Sequence, residues 1–271
     1  MSLMADLRSL GYRTDLLFPR YDGELIDRGD YIVVRTPTNP TFYWGNFLLF
    51  RHPPAAGDDR RWRSLFEQEI GRPPLATHEA YGWDSPEGER GLVTPFLHSG
   101  FDLVVSRVLS ARKVNPPDRP VSGVRFRILD TDEDWLRAVD LQTLTRPKGH
   151  DEAGHRAFRQ RQMERYRAMQ ADGRGHWFGA FAGEQLVADL GLFHQDDLAR
   201  FQSVETHPDF RRRGIAGWLV YEASRSMLAE QPQVTLIMVA DDGSSPEKLY
   251  RSIGFEPREY QMGLELWQRA S

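Results

Sequence analysis

The chain has no cysteine among its 271 residues. Disulfides, thiolate zinc sites and a cysteine nucleophile are thereby excluded. Long apolar runs are also missing. None approaches the roughly 20 residues that span a bilayer. The opening Met-Ser-Leu-Met-Ala-Asp-Leu-Arg lacks a basic segment followed by an apolar core, so no secretory signal is read there. A cytoplasmic location is expected. Neither charge sign dominates: 35 Lys and Arg stand against 39 Asp and Glu, a net of −4. That leaves no global basic field to recruit nucleic acid. His150 and His155 stand five apart without a matching carboxylate, so the His-Glu-x-x-His pattern is absent and no metal is expected. A Gly-x-x-x-x-Gly-Lys phosphate loop and a Gly-x-Ser-x-Gly nucleophile elbow are absent too.

What the chain does have is concentrated in residues 204–217, Val-Glu-Thr-His-Pro-Asp-Phe-Arg-Arg-Arg-Gly-Ile-Ala-Gly. An apolar strand runs through a short turn into Arg211, Arg212 and Arg213, then Gly214, Ala216 and Gly217. Behind them Ile215, Leu219, Val220, Ala223, Met227 and Leu228 recur at helical spacing. Small residues at a helix start admit a ligand close to the backbone. The first amides of a helix lack internal partners and point outward, at the positive end of the helix dipole. The pattern therefore reads as an anion site suited to a pyrophosphate, with fixed arginine charge beside it.

The spacing Arg211, Gly214, Ala216 resembles the acyl-coenzyme A loop of the GNAT superfamily of N-acyltransferases. A second element, Leu249-Tyr250-Arg251-Ser252-Ile253-Gly254-Phe255, is similar to that family's Leu-Tyr-x-x-x-Gly-Phe segment. The two lie in the family's order and cover roughly residues 121–271. The resemblance implies an α/β fold: a mixed, mostly antiparallel sheet flanked by helices. It also implies acetyl-coenzyme A as co-substrate and transfer of an acetyl group to a primary amine. The acceptor, a small molecule or a peptide, is left open, as is oligomeric state. A non-catalytic acyl-coenzyme A sensor or scaffold is the alternative from a different class.

The residues divide the chain in two. Residues 111–123 hold three prolines and little apolar content, and read as a linker. Downstream, strands are expected at Val124–Leu129, His176–Phe181, Gln185–Phe193, Leu198–Thr206 and Val234–Ala240. Thr131 is placed as the N-cap of a helix carrying Trp135, Leu136 and Val139, with a longer helix over Glu152–Met169. Upstream, a hairpin over Tyr31–Arg35 and Phe42–Phe50, a helix near Arg61–Ile70 and a strand Leu103–Leu109 read as a faded copy. Asn46–Phe50 resembles Asp189–Phe193, and Ser99-Gly100-Phe101 resembles Ile253-Gly254-Phe255. The expectation is a tandem arrangement: a degenerate GNAT-like domain over 1–112 and an acyl-coenzyme A-binding domain over 121–271. No arginine-glycine loop lies between Phe50 and Gly100, so the upstream half should not bind coenzyme A in the usual way.

Carried onto this sequence, the resemblance implies that the main chain of Val204 and Thr206 pairs with the pantetheine arm. Arg211, Arg212, Arg213, Gly214, Ala216 and Gly217 would surround the diphosphate. Tyr250 would protonate the leaving thiolate, since a phenol near pKa 10 keeps its proton at neutral pH. Packing beneath the sheet is the other reading of Tyr250. The general base is open. Arg200 stands where some members carry glutamate, and Glu205, Asp189 or a water relay are the alternatives. Arg156, Arg159, Arg161, Arg165 and Arg167 make a basic helix, either a solvated face or the border of a cleft that favours acidic acceptors.

Overall fold

The computed structural model describes residues 2–73 and 76–267. In chain order the elements are α1 (Leu3–Asp6), α2 (Leu10–Asp15), α3 (Leu17–Asp22), β1 (Glu24–Asp27), β2 (Tyr31–Arg35), β3 (Phe47–Phe50), α4 (Asp58–Glu69), β4 (His78–Trp83), α5 (Thr94–His98) and β5 (Asp102–Ala111). Then come β6 (Arg125–Ile128), α6 (Asp132–Leu144), α7 (Glu152–Ala171), β7 (Gly175–Ala182), β8 (Gln185–Gln195) and β9 (Leu198–Thr206). The chain ends with α8 (Ile215–Glu230), β10 (Thr235–Asp241), α9 (Ser245–Ser252) and β11 (Glu256–Trp267). These form two compact units, neither contiguous in sequence. The first holds Met1–Val108, Val239–Ser244 and Arg258–Ser271; the second holds Leu109–Met238 and Ser245–Pro257.

In the first unit β1, β2 and β3 pair antiparallel. The α4 crossover then makes β4 parallel to β3. The outer half of β11 pairs antiparallel with β4, Met262 opposite Trp83 and Trp267 opposite His78. Met262 and Leu264 thereby join a core with Val33, Leu48, Phe50, Trp62, Tyr81 and Phe96. Phe50 lies flat on Trp62, ring centroids 3.8 Å apart. On the other face Leu3, Tyr12, Leu16, Ile32, Val34 and Leu49 form a second apolar layer. The Tyr12 hydroxyl donates to the Met262 carbonyl at 2.5 Å, so its buried polar end is satisfied.

In the second unit β6, β7, β8 and β9 pair antiparallel and β10 is parallel to β9. Eight successive residues of β8, Leu186–Phe193, are buried, as expected for a strand covered on both faces. Helices α6 and α7 cover one face and α8 the other. Thr131 caps α6 as expected, in a full capping box with Asp134. Asp134 also takes both guanidinium nitrogens of Arg127 at 2.6 and 2.7 Å, which holds its carboxyl well below the usual range. The proline-rich segment is fastened to this unit. The Asn115 amide donates to the Ile253 carbonyl at 2.7 Å and the Trp218 indole to the Arg119 carbonyl at 2.6 Å.

The two units repeat one order of elements. β1-β2-β3-α4-β4-α5-β5 has the sense of β7-β8-β9-α8-β10-α9-β11. Gly100 and Gly254 are both left-handed, φ +89° and +109°, a backbone state glycine adopts without steric cost. In each case the next phenylalanine returns its amide to the carbonyl five residues earlier: Phe101 to Phe96 and Phe255 to Tyr250, both at 3.1 Å. The pairing of Asn46–Phe50 with Asp189–Phe193 is off by one strand. β3 leads into the crossover helix, which makes β9 its counterpart.

Because β11 closes the first unit's core, Leu264→Ala should destabilise the protein by about 2–5 kcal/mol, the usual cost of a buried leucine truncation. Urea denaturation measures it, and a loss below about 1 kcal/mol would contradict this packing.

Candidate active site

The second unit gathers the sequence-marked residues at one end of β9. The register of β8 against β9 slips between Asp189 and Gly191, placing Ser203 and Val204 opposite the single residue Leu190. This is a β-bulge, and Ser203 sits at φ +46°. The register pairs with β10 run only from Leu198 to Arg200. Beyond the bulge the His207 amide donates to the Val187 carbonyl of β8 at 2.8 Å. Strand alternation then turns the main-chain groups of Thr206 and Val204 away from β8. The Thr206 carbonyl accepts from Arg211 Nε at 3.1 Å, which ties the strand end to the arginine loop.

In that loop Arg212 and Gly214 are both left-handed, φ +62° and +80°. Alternating handedness of this kind curls successive amides into an anion-binding concavity. Gly214 is the N-cap of α8, with no side-chain cap and no acidic residue in the first turn. The first amide to find an intrahelical partner is Trp218, bonded to the Gly214 carbonyl at 3.2 Å. The amides of Ile215, Ala216 and Gly217 are thus left for a ligand or water. Arg211, Arg212, Arg213 and Gly214 are exposed, whereas Gly217 is buried. A Cβ on Gly217 would stand 3.2 Å from Leu249 and 3.5 Å from Pro117, so its smallness serves the packing of α8 on α9.

The first unit's counterpart of this turn has opposite chemistry. Gly57, φ +86°, caps α4 in the same left-handed way, but Asp58 and Asp59 occupy the first turn. Asp58 accepts the Ala55 amide at 2.8 Å and pairs with Arg61 at 2.7 Å. Carboxylates there complement the helix dipole and repel an anion.

Tyr250 is buried, its ring edge-on to Phe255 with centroids 6.4 Å apart. Burial, with the Glu205 charge adding to it, raises the phenol above its ordinary value. It therefore keeps its proton throughout the neutral range. Glu205 is half-buried on the face covered by α6 and α7. Burial raises its pKa, while Arg159, the Thr145 hydroxyl and Arg211 pull the other way. The two carboxylates left open by the sequence separate here. Asp189 has no exposed surface, and its oxygens accept from Gln142 Nε2 at 2.7 Å and Trp177 Nε1 at 3.1 Å. Burial still outweighs those donors and pushes its pKa up to about 8. Asp189 is a structural acid under the bulge.

The basic helix also divides. Arg156 pairs with Asp140 at 2.6 Å and Arg167 with Asp132 at 2.5 Å, both on the surface. Arg159 instead turns inward. Its Nη1 donates to Gln162 Oε1 at 2.8 Å and Ser203 Oγ at 3.2 Å, and its Nε to His155 Nε2 at 3.3 Å. His155 is buried, and burial beside Arg159 and His150 lowers its pKa to about 4, so the ring is neutral and accepts. Sequence reading left Gln142 and Ser203 unmarked, since neither stands in a motif, and weighed His155 only as a metal ligand.

The family profile described as FR47-like protein matches residues 178–262, from β7 through β11. A functionally unknown conserved protein from Staphylococcus epidermidis is similar in structure at TM-score 0.67 and 13% identity, over 92% of this chain and 95% of that one. A GCN5-related N-acetyltransferase from Sphaerobacter thermophilus gives 0.61 and 15%, over 99% and 92%. The chain has the GNAT-superfamily acyltransferase fold. A tandem GNAT protein from the clavulanic acid biosynthesis pathway aligns at TM-score 0.54 and 16% identity, over 98% of this chain and 94% of that one. The GNAT likeness thus spans both units. No curated protein matches the sequence significantly.

The protonation of Asp189 carries a stability signature. Native Asp189 holds its proton to about pH 8, whereas the unfolded chain loses it near pH 3.8. Between those values the native state binds the extra proton, so this carboxyl's contribution to stability falls as pH rises. Asp189→Asn does not titrate. The stability of the native sequence relative to this variant should fall from pH 4 to pH 8 in denaturation curves, and a parallel pair of profiles would contradict the assignment.

Proposed function

We propose that the protein is an acetyl-coenzyme A-dependent N-acetyltransferase whose active site lies in the second unit, where β9 ends, with a primary amine as acceptor. The observation that carries this reading is the uncapped first turn of α8 behind the left-handed Gly214. Three unpartnered amides, flanked by Arg211, Arg212 and Arg213, suit the diphosphate of the carrier. The outward main chain of Val204 and Thr206 offers strand-type hydrogen bonds to its pantetheine arm, and a strand amide there can meet the thioester oxygen as charge develops.

Acyl transfer breaks the carbonyl carbon–sulfur bond and forms a carbon–nitrogen bond. The amine must lose a proton and the thiolate must gain one. Glu205 is the side chain we assign to the first task. Its raised pKa matches it better to an ammonium proton than an ordinary glutamate would be. Tyr250, whose hydroxyl keeps its proton, donates to the sulfur and is reprotonated from solvent. Arg200 takes no part as a base, being a buried cation that bonds the Phe201 carbonyl at 3.2 Å. The first unit is assigned no transfer chemistry: its helix turn is acidic, and Phe96 stands where the second unit has Tyr250.

Isothermal calorimetry with coenzyme A and acetyl-coenzyme A tests the carrier site, and thiol release with an amine panel tests transfer. Binding should be detected, and Gly214→Val, which forces a β-branched residue to φ +80°, should weaken it at least tenfold. No detectable association with either carrier form would overturn the reading. Tyr250→Phe and Glu205→Gln should each lower kcat about 10²- to 10⁴-fold, the range for loss of a proton-transfer group. The acidic limb of the pH–rate profile, displaced above the ordinary glutamate range, should disappear in Glu205→Gln. A first unit that bound a second carrier molecule would contradict the role given to Asp58.

A further inference from the structure

Arg159 is a half-buried cation whose hydrogen-bond partners are all neutral: Gln162, Ser203 and His155. They engage Nη1 and Nε, and Nη2 has no partner among the described residues. No carboxylate among those residues lies within the 4.0 Å of an ion pair. A guanidinium taken partly out of water without a counter-ion is costly, and the paired surface arginines Arg156 and Arg167 on the same helix show that α7 is not short of anions. His155 is held neutral and fixes the Nε side, while Gln162 and Ser203 fix Nη1. The Nη2 group left over is therefore pre-oriented. Ser203 and Glu205 lie on β9 and turn toward the α6 and α7 face, where Glu205 feels Arg159 without pairing to it.

We infer that Arg159 binds an anionic group of the acceptor, so that the amine acetylated here also carries a carboxylate, as an α-amino acid does. This rests on the transfer reading above and names the acceptor class for the same site. A zwitterion answers both groups at once. Its ammonium goes to Glu205, which takes the proton, and its carboxylate goes to the free Nη2 of Arg159. The two N–H groups of Nη2 can donate to a carboxylate as charge-assisted hydrogen bonds. Arg159 is a specificity residue in this scheme and has no part in moving protons.

The test is thiol release from acetyl-coenzyme A with amino acids, each compared with its own amide, using the native protein, Arg159→Gln and Arg159→Lys. The native protein should prefer the acid over its amide by about 10- to 100-fold in kcat/KM, the range of a hydrogen bond to a charged group, chiefly through KM. Arg159→Gln should bring that ratio close to one. Arg159→Lys, which keeps the charge and loses the fixed Nη2 donors, should retain part of it. Calorimetry should show carrier binding by all three, which certifies that the variants fold. Equal use of acid and amide by the native protein, or a preference surviving in Arg159→Gln, overturns the inference and leaves the transfer reading standing. Carrier binding with no release from any amine overturns both.

Discussion

The bend of β9 at Ser203 governs the rest of the site. A serine at φ +46° costs of order 1–3 kcal/mol relative to an ordinary strand conformation. Two side chains from the covering helices hold it there. Gln142 Nε2 donates to the Ser203 carbonyl at 3.1 Å, and Arg159 donates to its hydroxyl at 3.2 Å. Gln142 in turn is held by Asp189, a fully buried acid that also anchors Trp177. The stack of Tyr166 on Trp177 at 4.8 Å and on Phe193 at 5.3 Å closes the layer beneath. The bulge offsets the strand, and its end leaves the β10 ladder. A strand that continued straight would keep Val204 and Thr206 paired and leave no open main chain beside the arginine loop.

Strands and loop were legible because each rests on a local rule. β9 over Leu198–Thr206 and the capping box at Thr131 follow from alternation and from one side chain's reach to an amide three residues on. Gly214 is marked by the conformation it alone adopts cheaply. What escaped depends on distant partners. β4 reads His-Glu-Ala-Tyr-Gly-Trp, without alternation, because it is buried on both faces. Tyr12 covers Gly82 so closely that a Cβ there would clash with it, and no local pattern announces that fit. The helices α1, α2 and α3 have 4, 6 and 6 residues, too few for a helical period to show.

The site residues divide along the same line. Arg211, Gly214, Ala216 and Tyr250 stand at fixed spacings, so a sequence can display them. Arg159 looks like any other arginine of a basic helix until its surroundings are known. What separates it from Arg156 is that Asp140 reaches the one and, among the described residues, no carboxylate reaches the other. Asp189 and Glu205 were indistinguishable as letters, and burial alone parts them. One is sealed between Trp177 and Gln142, and the other stands half-open beside Arg159.

The repeated order of elements raises the question of why a unit without the arginine loop and the tyrosine persists. Two substitutions of character separate the copies: Asp58 and Asp59 in the first turn of α4 against Ile215 and Ala216 in α8, and Phe96 against Tyr250. Both changes suit a unit kept for folding. Acidic residues stabilise a helix start by complementing its dipole, and a phenyl ring avoids the cost of burying a hydroxyl without a partner. The strand following Gly254 explains the retention. It begins in the second unit at Glu256 and Pro257, and from Arg258 onward it belongs to the first, where Met262 and Leu264 are buried against β4. The strand that continues the chain after the Tyr250 helix thus completes the core of Trp62, Tyr81 and Phe96. Removing residues 1–108 would expose Met262 and Leu264, so that strand needs the first unit's core whatever chemistry the unit carries.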